Sequence, residues 1–165
     1  MEEKRPIDDE RITTFGRLVE AYAKLTHVLG REMEEAVGLP LLWYGVLLHV
    51  ARSPHGVRPM GELVSATAFT NGGVTRLVDR MERAGLVERR PCPSDRRVQW
   101  IGLTDAGRDA LQRATEVHLR GIQDHLIDPL EGEDVAELDR ILARLAAPPG
   151  LTSLPGAVPR RAGGR

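Results

Sequence analysis

One cysteine, Cys92, stands in 165 residues, so no internal disulfide can form, and the chain suits a reducing compartment. No apolar run approaches the roughly twenty residues a membrane-crossing helix needs. The opening MEEKRPIDDE is too acidic and polar for a secretory signal. The cytoplasm is therefore the expected location, with no membrane partner. Signatures of catalysis are missing as well: there is no GxSxG elbow, no GxxxxGK loop closed by Ser or Thr, and no HExxH. Asp and His residues follow no catalytic spacing, so neither an enzyme nor a cofactor is expected. His118 and His125 lie seven residues apart, about 10.5 Å along a helix axis, too far to share one ion unaided. No Cys/His cluster completes a metal site. There is no internal repeat.

Net charge is also nearly absent, at −1, but its distribution is uneven. Residues 1–36 carry a net of −3 and residues 101–150 a net of −5, whereas residues 52–97 hold nine arginines against five acidic side chains. Contact with phosphate depends on local charge, so a near-neutral total does not argue against a nucleic-acid partner. Hydrophobic content of 41% fits one ordinary globular domain, large enough to bury a real core.

The positive segment has a definite internal order. Val74, Leu77, Val78 and Met81 recur at helical spacing and form one apolar face. Thr75, Arg76, Asp79, Arg80 and Arg83 fall off that stripe. Thr70 or Asn71 is suited to cap the helix start, and Gly85 to stop it. Two short strands follow, over residues 86–90 and 97–103, linked through Pro91, Pro93, Ser94 and Asp95. Arg96 and Arg97 stand at or beside the hairpin tip, where Asp95 can steady them by an ion pair. A narrow minor groove concentrates negative potential and attracts such an arginine. Arginines on an exposed helix are ordinarily only a solvated face. The sequence of helix, glycine stop, hairpin and Asp-Arg-Arg tip departs from that default.

Outward from this centre the chain reads as helical. Ile12, Phe15, Leu18, Val19, Tyr22, Leu25, Leu29 and Met33 make a long apolar stripe, ended by Gly38 and Pro40. The run LLWYGVLLHVA over 41–51 is apolar nearly all round, as a buried helix is. Ser53 to Gly56 form a loop, and residues 60–68 a short helix with Leu63 and Val64 inward. Thr104 caps a further long helix with Leu111, Ala114, His118 and Ile122 on one face, broken or kinked at Pro129. Val135, Leu138, Ile141, Leu142 and Leu145 mark a last amphipathic helix. Residues 148–165, rich in Pro and Gly and basic, are expected to be a disordered tail. The fold class expected is mainly α: a winged helix-turn-helix with long N- and C-terminal dimerisation helices and a two-stranded β wing. The single domain would span 1–147, with dimerisation helices at about 11–37 and 104–146 and a DNA-binding lobe at about 41–103. Interlocking the outer helices of two chains would present two reading helices to half-sites one helical turn apart, and so select a near-palindrome.

The residues that carry a family likeness are TRLVDRMERAGLVERR, then PSDRR, then LTDAGR, supported by GLPLLWYGVLLHVAR. Over roughly residues 12–146 the chain resembles the MarR (multiple-antibiotic-resistance regulator) family of winged-helix transcriptional regulators. The resemblance implies an all-helical triangular homodimer that binds operator DNA, often as a repressor, and is often released by a small phenolic or carboxylate effector. By position it implies that Thr75, Arg76 and Arg80 face the major groove, and that Arg97 with Arg96, steadied by Asp95, enters the minor groove. Gly72, Gly73, Val98 and Gly61 depart from the family pattern. A glycine in a helix interior costs about 1 kcal/mol relative to alanine, so the reading helix is expected to start loosely until DNA binds.

Effector sensing has a thinner basis. His27, Arg31, Trp43 and Tyr44 are the candidates, because a cation with aromatics can hold a small anion. Core packing is the ordinary reading of Trp43 and Tyr44 on their apolar helix, and a hydrogen-bonded surface or interface role that of His27. Cys92 lies between two prolines near Arg90 and Arg96, which suits either a redox switch, since cations lower a thiol pKa, or a plain exposed wing cysteine. Two functions thus compete with a ligand-responsive DNA reader: a regulator switched through Cys92, and a dimeric winged-helix module that does not read DNA.

Overall fold

The computed structural model describes residues 5–66, 71–92 and 98–145, leaving aside the side chains of 64–66, 71 and 72. Among these residues the chain forms α1 (Glu10–Val37), α2 (Leu41–Ala51), β1 (Val57–Pro59), α3 (Met60–Ala66), α4 (Asn71–Arg83), β2 (Val87–Pro91), β3 (Gln99–Leu103), α5 (Asp105–Ile122) and α6 (Asp134–Leu145). Asp9 caps α1 by accepting from the Arg11 N–H at 2.9 Å. Gly38 closes it, donating its N–H to Glu34 O at 2.9 Å. The mainly helical winged fold expected from the sequence is the fold observed.

The core sits where α2, α4 and the sheet meet. Val46, Leu47 and Val50 of α2 pack with Val74, Leu77, Val78 and Met81 of α4 and with Leu63, Val87 and Ile101. Each such side chain contributes about 1.5–3 kcal/mol when fully buried. The stripe read in the sequence therefore fixes which side of α4 points inward. Lower on the molecule, Met33 of α1 and Ala114 of α5 join the same core.

The sheet has three antiparallel strands in the order β1-β3-β2, with Arg58 and Arg89 both opposite Ile101. The two-stranded wing expected from sequence is thus extended by β1. Three residues ending in proline carry no readable period, and an edge strand tolerates Pro59 because its missing N–H faces outward. Ser53 joins α2 to this edge: its buried Oγ lies 2.5 Å from Val50 O and 2.7 Å from Val57 O.

Two further details adjust the sequence reading. The helix begun at Thr104 does not run regularly to Pro129; it widens into a π-helical turn at Gln123–Ile127. That turn brings His125 Nε2 to 2.6 Å from Glu32 Oε1 of α1. The short helix α3 is described to Ala66, and the expected turn near Phe69 and Thr70 lies outside the described residues, as does the tail at 148–165.

Candidate nucleic-acid interface

α4 is a helix with two unlike sides. Its four apolar side chains are at most 2% exposed, while Thr75, Arg76, Arg80 and Arg83 are exposed. Arg83 Nε donates to the carbonyl of Asp79 at 3.2 Å. Among the described residues Arg76 and Arg80 meet no carboxylate. Asn71 is the first helical residue, and Thr70, the other cap candidate, lies outside the described residues. Gly72 and Gly73 lie inside the helix.

Gly85 turns the chain from α4 into β2. Its φ of +72° is a left-handed conformation that a residue with a Cβ rarely adopts. The Gly85 N–H donates to Glu82 O at 2.9 Å, and the Leu86 N–H to Met81 O at 3.0 Å. The wing is then braced to α4 by Arg89, which sequence reasoning counted only as part of the positive segment. Arg89 Nη2 lies 2.5 Å from Asp79 Oδ1, Nη1 pairs with Glu82 Oε2, and the Arg89 N–H donates to Glu82 Oε1 at 3.3 Å. One guanidinium thereby covers the two carboxylates of α4 that would otherwise repel phosphate. The signal was present: Asp79 and Glu82 share a helix face at i, i+3, with an arginine in the next strand.

Arg90 likewise pairs with Glu88, its Nε donating at 2.9 Å. The regional charge count therefore overstates the cations open to a partner. Asp95, Arg96 and Arg97 at the expected tip lie outside the described residues. Cys92 is not the exposed wing cysteine expected from sequence. It is only 7% exposed, and its N–H donates to Val98 O at 3.0 Å, continuing the ladder beyond the strands. Burial keeps oxidants away from a thiol, which disfavours the redox reading.

The wing's base is locked to α5. Thr104 caps that helix as expected, accepting from the Gly107 N–H at 2.9 Å. Its Oγ1 donates to Gly85 O at 2.6 Å, and its N–H donates to Leu86 O at 3.2 Å. A Cβ on Gly107 would stand 1.9 Å from Leu86 O. The glycine of the LTDAGR segment is thus required by backbone contact.

The four effector candidates lie on two helices, His27 and Arg31 on α1 and Trp43 and Tyr44 on α2. His27 is exposed, Arg31 lies 3.9 Å from Glu35, and Trp43 is half-buried against the core. Tyr44 is buried, its ring centroid 4.8 Å from that of His118 and tilted by 55°. Burial pushes the His118 pKa down, and its Nδ1 is buried without a hydrogen-bond partner. Two surface hollows are described. One of about 270 Å³ is lined by Ala51, Leu103, Arg108 and Leu111, and one of about 390 Å³ by Glu32, Glu35, Arg120 and Asp124. Neither includes any of the four. Among the described residues no three His, Cys, Asp or Glu side chains are placed to hold a metal, and no helix is long and apolar enough to cross a membrane.

An exposed cationic helix packed on a small lobe and followed by two paired antiparallel strands defines a winged helix-turn-helix protein. The MarR family model matches residues 37–98. AbsC, a MarR family transcriptional regulator from Streptomyces coelicolor, is 30% identical in sequence, with a TM-score of 0.77 over 86% of this chain and 95% of its own. Sco3205, a MarR family transcriptional regulator from the same organism, whose crystal structure is in complex with DNA, is 31% identical. Its TM-score is 0.75 over 94% of this chain and 98% of its own. The HTH-type transcriptional regulator PecS of Dickeya dadantii (strain 3937) is 32% identical over 93 residues, 56% of this chain. The match spans just over half of PecS, at 55%. The chain belongs to the MarR family.

Proposed function

We propose that this protein is a transcriptional regulator that binds a pseudo-palindromic DNA operator as a homodimer. The observation that carries the reading is the exposed face of α4, where Thr75, Arg76 and Arg80 point outward and, among the described residues, the two arginines meet no carboxylate, while the opposite face is fully packed. A helix of this kind fits the major groove, where arginine pairs with guanine edges. Thr70 and Asn71 would meet the backbone at the helix start, and Arg96 and Arg97, held by Asp95, would enter the minor groove. The relative Sco3205, crystallised with DNA, supports duplex as the partner.

Pairing is supported by the outer helices. Phe15 and Tyr22 of α1 are 67% and 70% exposed, and Ile12, Leu18, Val19, Ile141, Leu142 and Leu145 are exposed with them. Such a stripe at helical spacing is unfavourable in water and suits burial against a second copy. Dimerisation through α1, α5 and α6 would set the half-site spacing. Regulation is read as repression, relieved by a small anionic or phenolic effector held near His27, Arg31, Trp43 and Tyr44.

DNase footprinting on the DNA flanking the protein's own gene tests this reading; an inverted repeat should be protected. Fluorescence-anisotropy titration of that site should then weaken by about 1–3 kcal/mol for Arg97→Ala, the scale of one good groove contact. Failure to bind either that region or bulk duplex at modest salt would remove the function proposed.

A further inference from the structure

A second group of cationic side chains lies outside α4, on α2 and β1. His49 stands in the last turn of α2, Arg52 follows at its C-cap, and Arg58 sits in β1. Pairing with the fully buried Ile101 places Arg58 on the sheet face turned into the lobe. Its side chain is 23% exposed, and its Nε is buried with no hydrogen-bond partner. Among the described residues a single carboxylate pairs with it, Glu62 Oε2 at 3.7 Å from Nη1, and that side chain is itself 61% exposed. Among the described residues Arg52 pairs with no carboxylate.

The field in this corner is positive enough to be felt by the histidine. Burial lowers the His49 pKa, and the charges of Arg58 and Arg52 lower it further. The C-terminal end of α2 favours nearby cations, which accounts for His49 and Arg52. It does not account for Arg58, which is on a strand and keeps an N–H donor without an acceptor. A guanidinium has five donors in a fixed fork and accepts nothing, so its unmet donor calls for an oxyanion.

We propose that Arg58, Arg52 and His49 form an oxyanion site that takes a phosphate group. Arg58 supplies the planar fork, matched to two oxygens of a phosphate. Arg52 flanks it as a long-range charge, and His49 offers a ring N–H once the incoming anion offsets the two arginines. Glu62 holds the place and swings aside. A phosphate of the DNA backbone and free inorganic phosphate share this chemistry. The DNA source rests on the duplex-binding reading above; the free source does not.

The full-length protein and its Arg58→Gln and Arg52→Gln variants test both sources. In the first arm, thermal melting is followed in sodium phosphate against sodium chloride at matched ionic strength and pH. A phosphate-specific rise in Tm that both variants lose assigns the site to the free anion. In the second arm, duplex affinity is measured across a salt series. A log K versus log[salt] slope made shallower by about 0.9 in each variant assigns it to one backbone phosphate. The proposal is overturned if the duplex slope is unchanged in both variants and phosphate either gives no specific stabilisation or stabilises the variants as well as the parent. If Arg58→Gln does not fold, Arg52→Gln, altered at an exposed position, decides alone. If the parent protein binds no duplex, the function proposed above fails while the phosphate arm still reads this site.

Discussion

Replacing Gly107 with alanine should loosen the joint between the wing and α5. The new Cβ would stand 1.9 Å from Leu86 O and 2.9 Å from Leu86 C, where real Cβ contacts below 3.0 Å essentially do not occur. Something must therefore shift by about 1 Å, and the obstacle is backbone rather than a rotatable side chain. The Leu86 carbonyl also accepts the Thr104 N–H at 3.2 Å, beside the cap that Thr104 gives Gly107. Overpacking of this kind costs about 1–3 kcal/mol, and weakening one hydrogen bond with the cap adds about 1–2 kcal/mol. Alanine returns up to about 1 kcal/mol of helix propensity. The net is a loss of about 2–4 kcal/mol, or a fall in Tm of roughly 5–15 °C for a chain of this size. Urea unfolding followed by circular dichroism, at one fixed protein concentration so that any self-association is held constant, reads the loss directly. Gly121→Ala is the control. There the Cβ meets Leu29 Cδ2 at 2.5 Å and Glu32 Oε2 at 2.9 Å, both ends of flexible side chains. Its cost should stay within about 1 kcal/mol of neutral once propensity is counted. Equal midpoints for Gly107→Ala and the parent protein would refute the backbone argument.

Arg89→Gln should lower stability by about 1 kcal/mol, a value discounted for the partial exposure of Asp79 and Glu82, and should also weaken duplex binding by baring two carboxylates on α4 itself. Unchanged melting together with unchanged anisotropy would show that the brace has no role. Trp43→Ala should abolish effector-driven release of DNA if the candidate effector set is correct; intact release with a lowered Tm would leave Trp43 to the core alone. Burial lowers the pKa of His118 below its ordinary 6.5, so the unfolded chain takes up a proton before the folded one as pH falls. Stability from this site is therefore whole above about pH 6.5 and declines beneath it. His49, lowered by burial and then by Arg58 and Arg52, acts in the same direction. Tm measured from pH 7.5 to 5.5 should fall less steeply in His118→Phe than in the parent, and parallel slopes would contradict the assignment.

Much of the lobe could be read from local pattern. The stripe Val74, Leu77, Val78 and Met81 specified both a helix and its inward face, because burial follows the 3.6-residue period. Gly85 and Thr104 declared their places through backbone chemistry that acts within one turn. The strand β1 was not readable, since Val57–Pro59 is held by its ladder to β3 rather than by any propensity of its own. Cys92 was misjudged for a similar reason. Its flanking prolines and arginines suggest a surface turn, yet the pairing with Val98 draws the thiol inward.

What the linear order of residues determined alone was the helices and the β2–β3 pair, their apolar faces and the class of protein, because helix periods, caps and turn residues act over a few positions. What only tertiary structure decided was which charges remain available. Arg89 is spent on Asp79 and Glu82 and Arg90 on Glu88, whereas Arg76 and Arg80 stay outward and Arg58 keeps an unmet donor. Electrostatic pairing depends on distances between residues far apart in the chain, and those distances exist only after the strands and helices have packed.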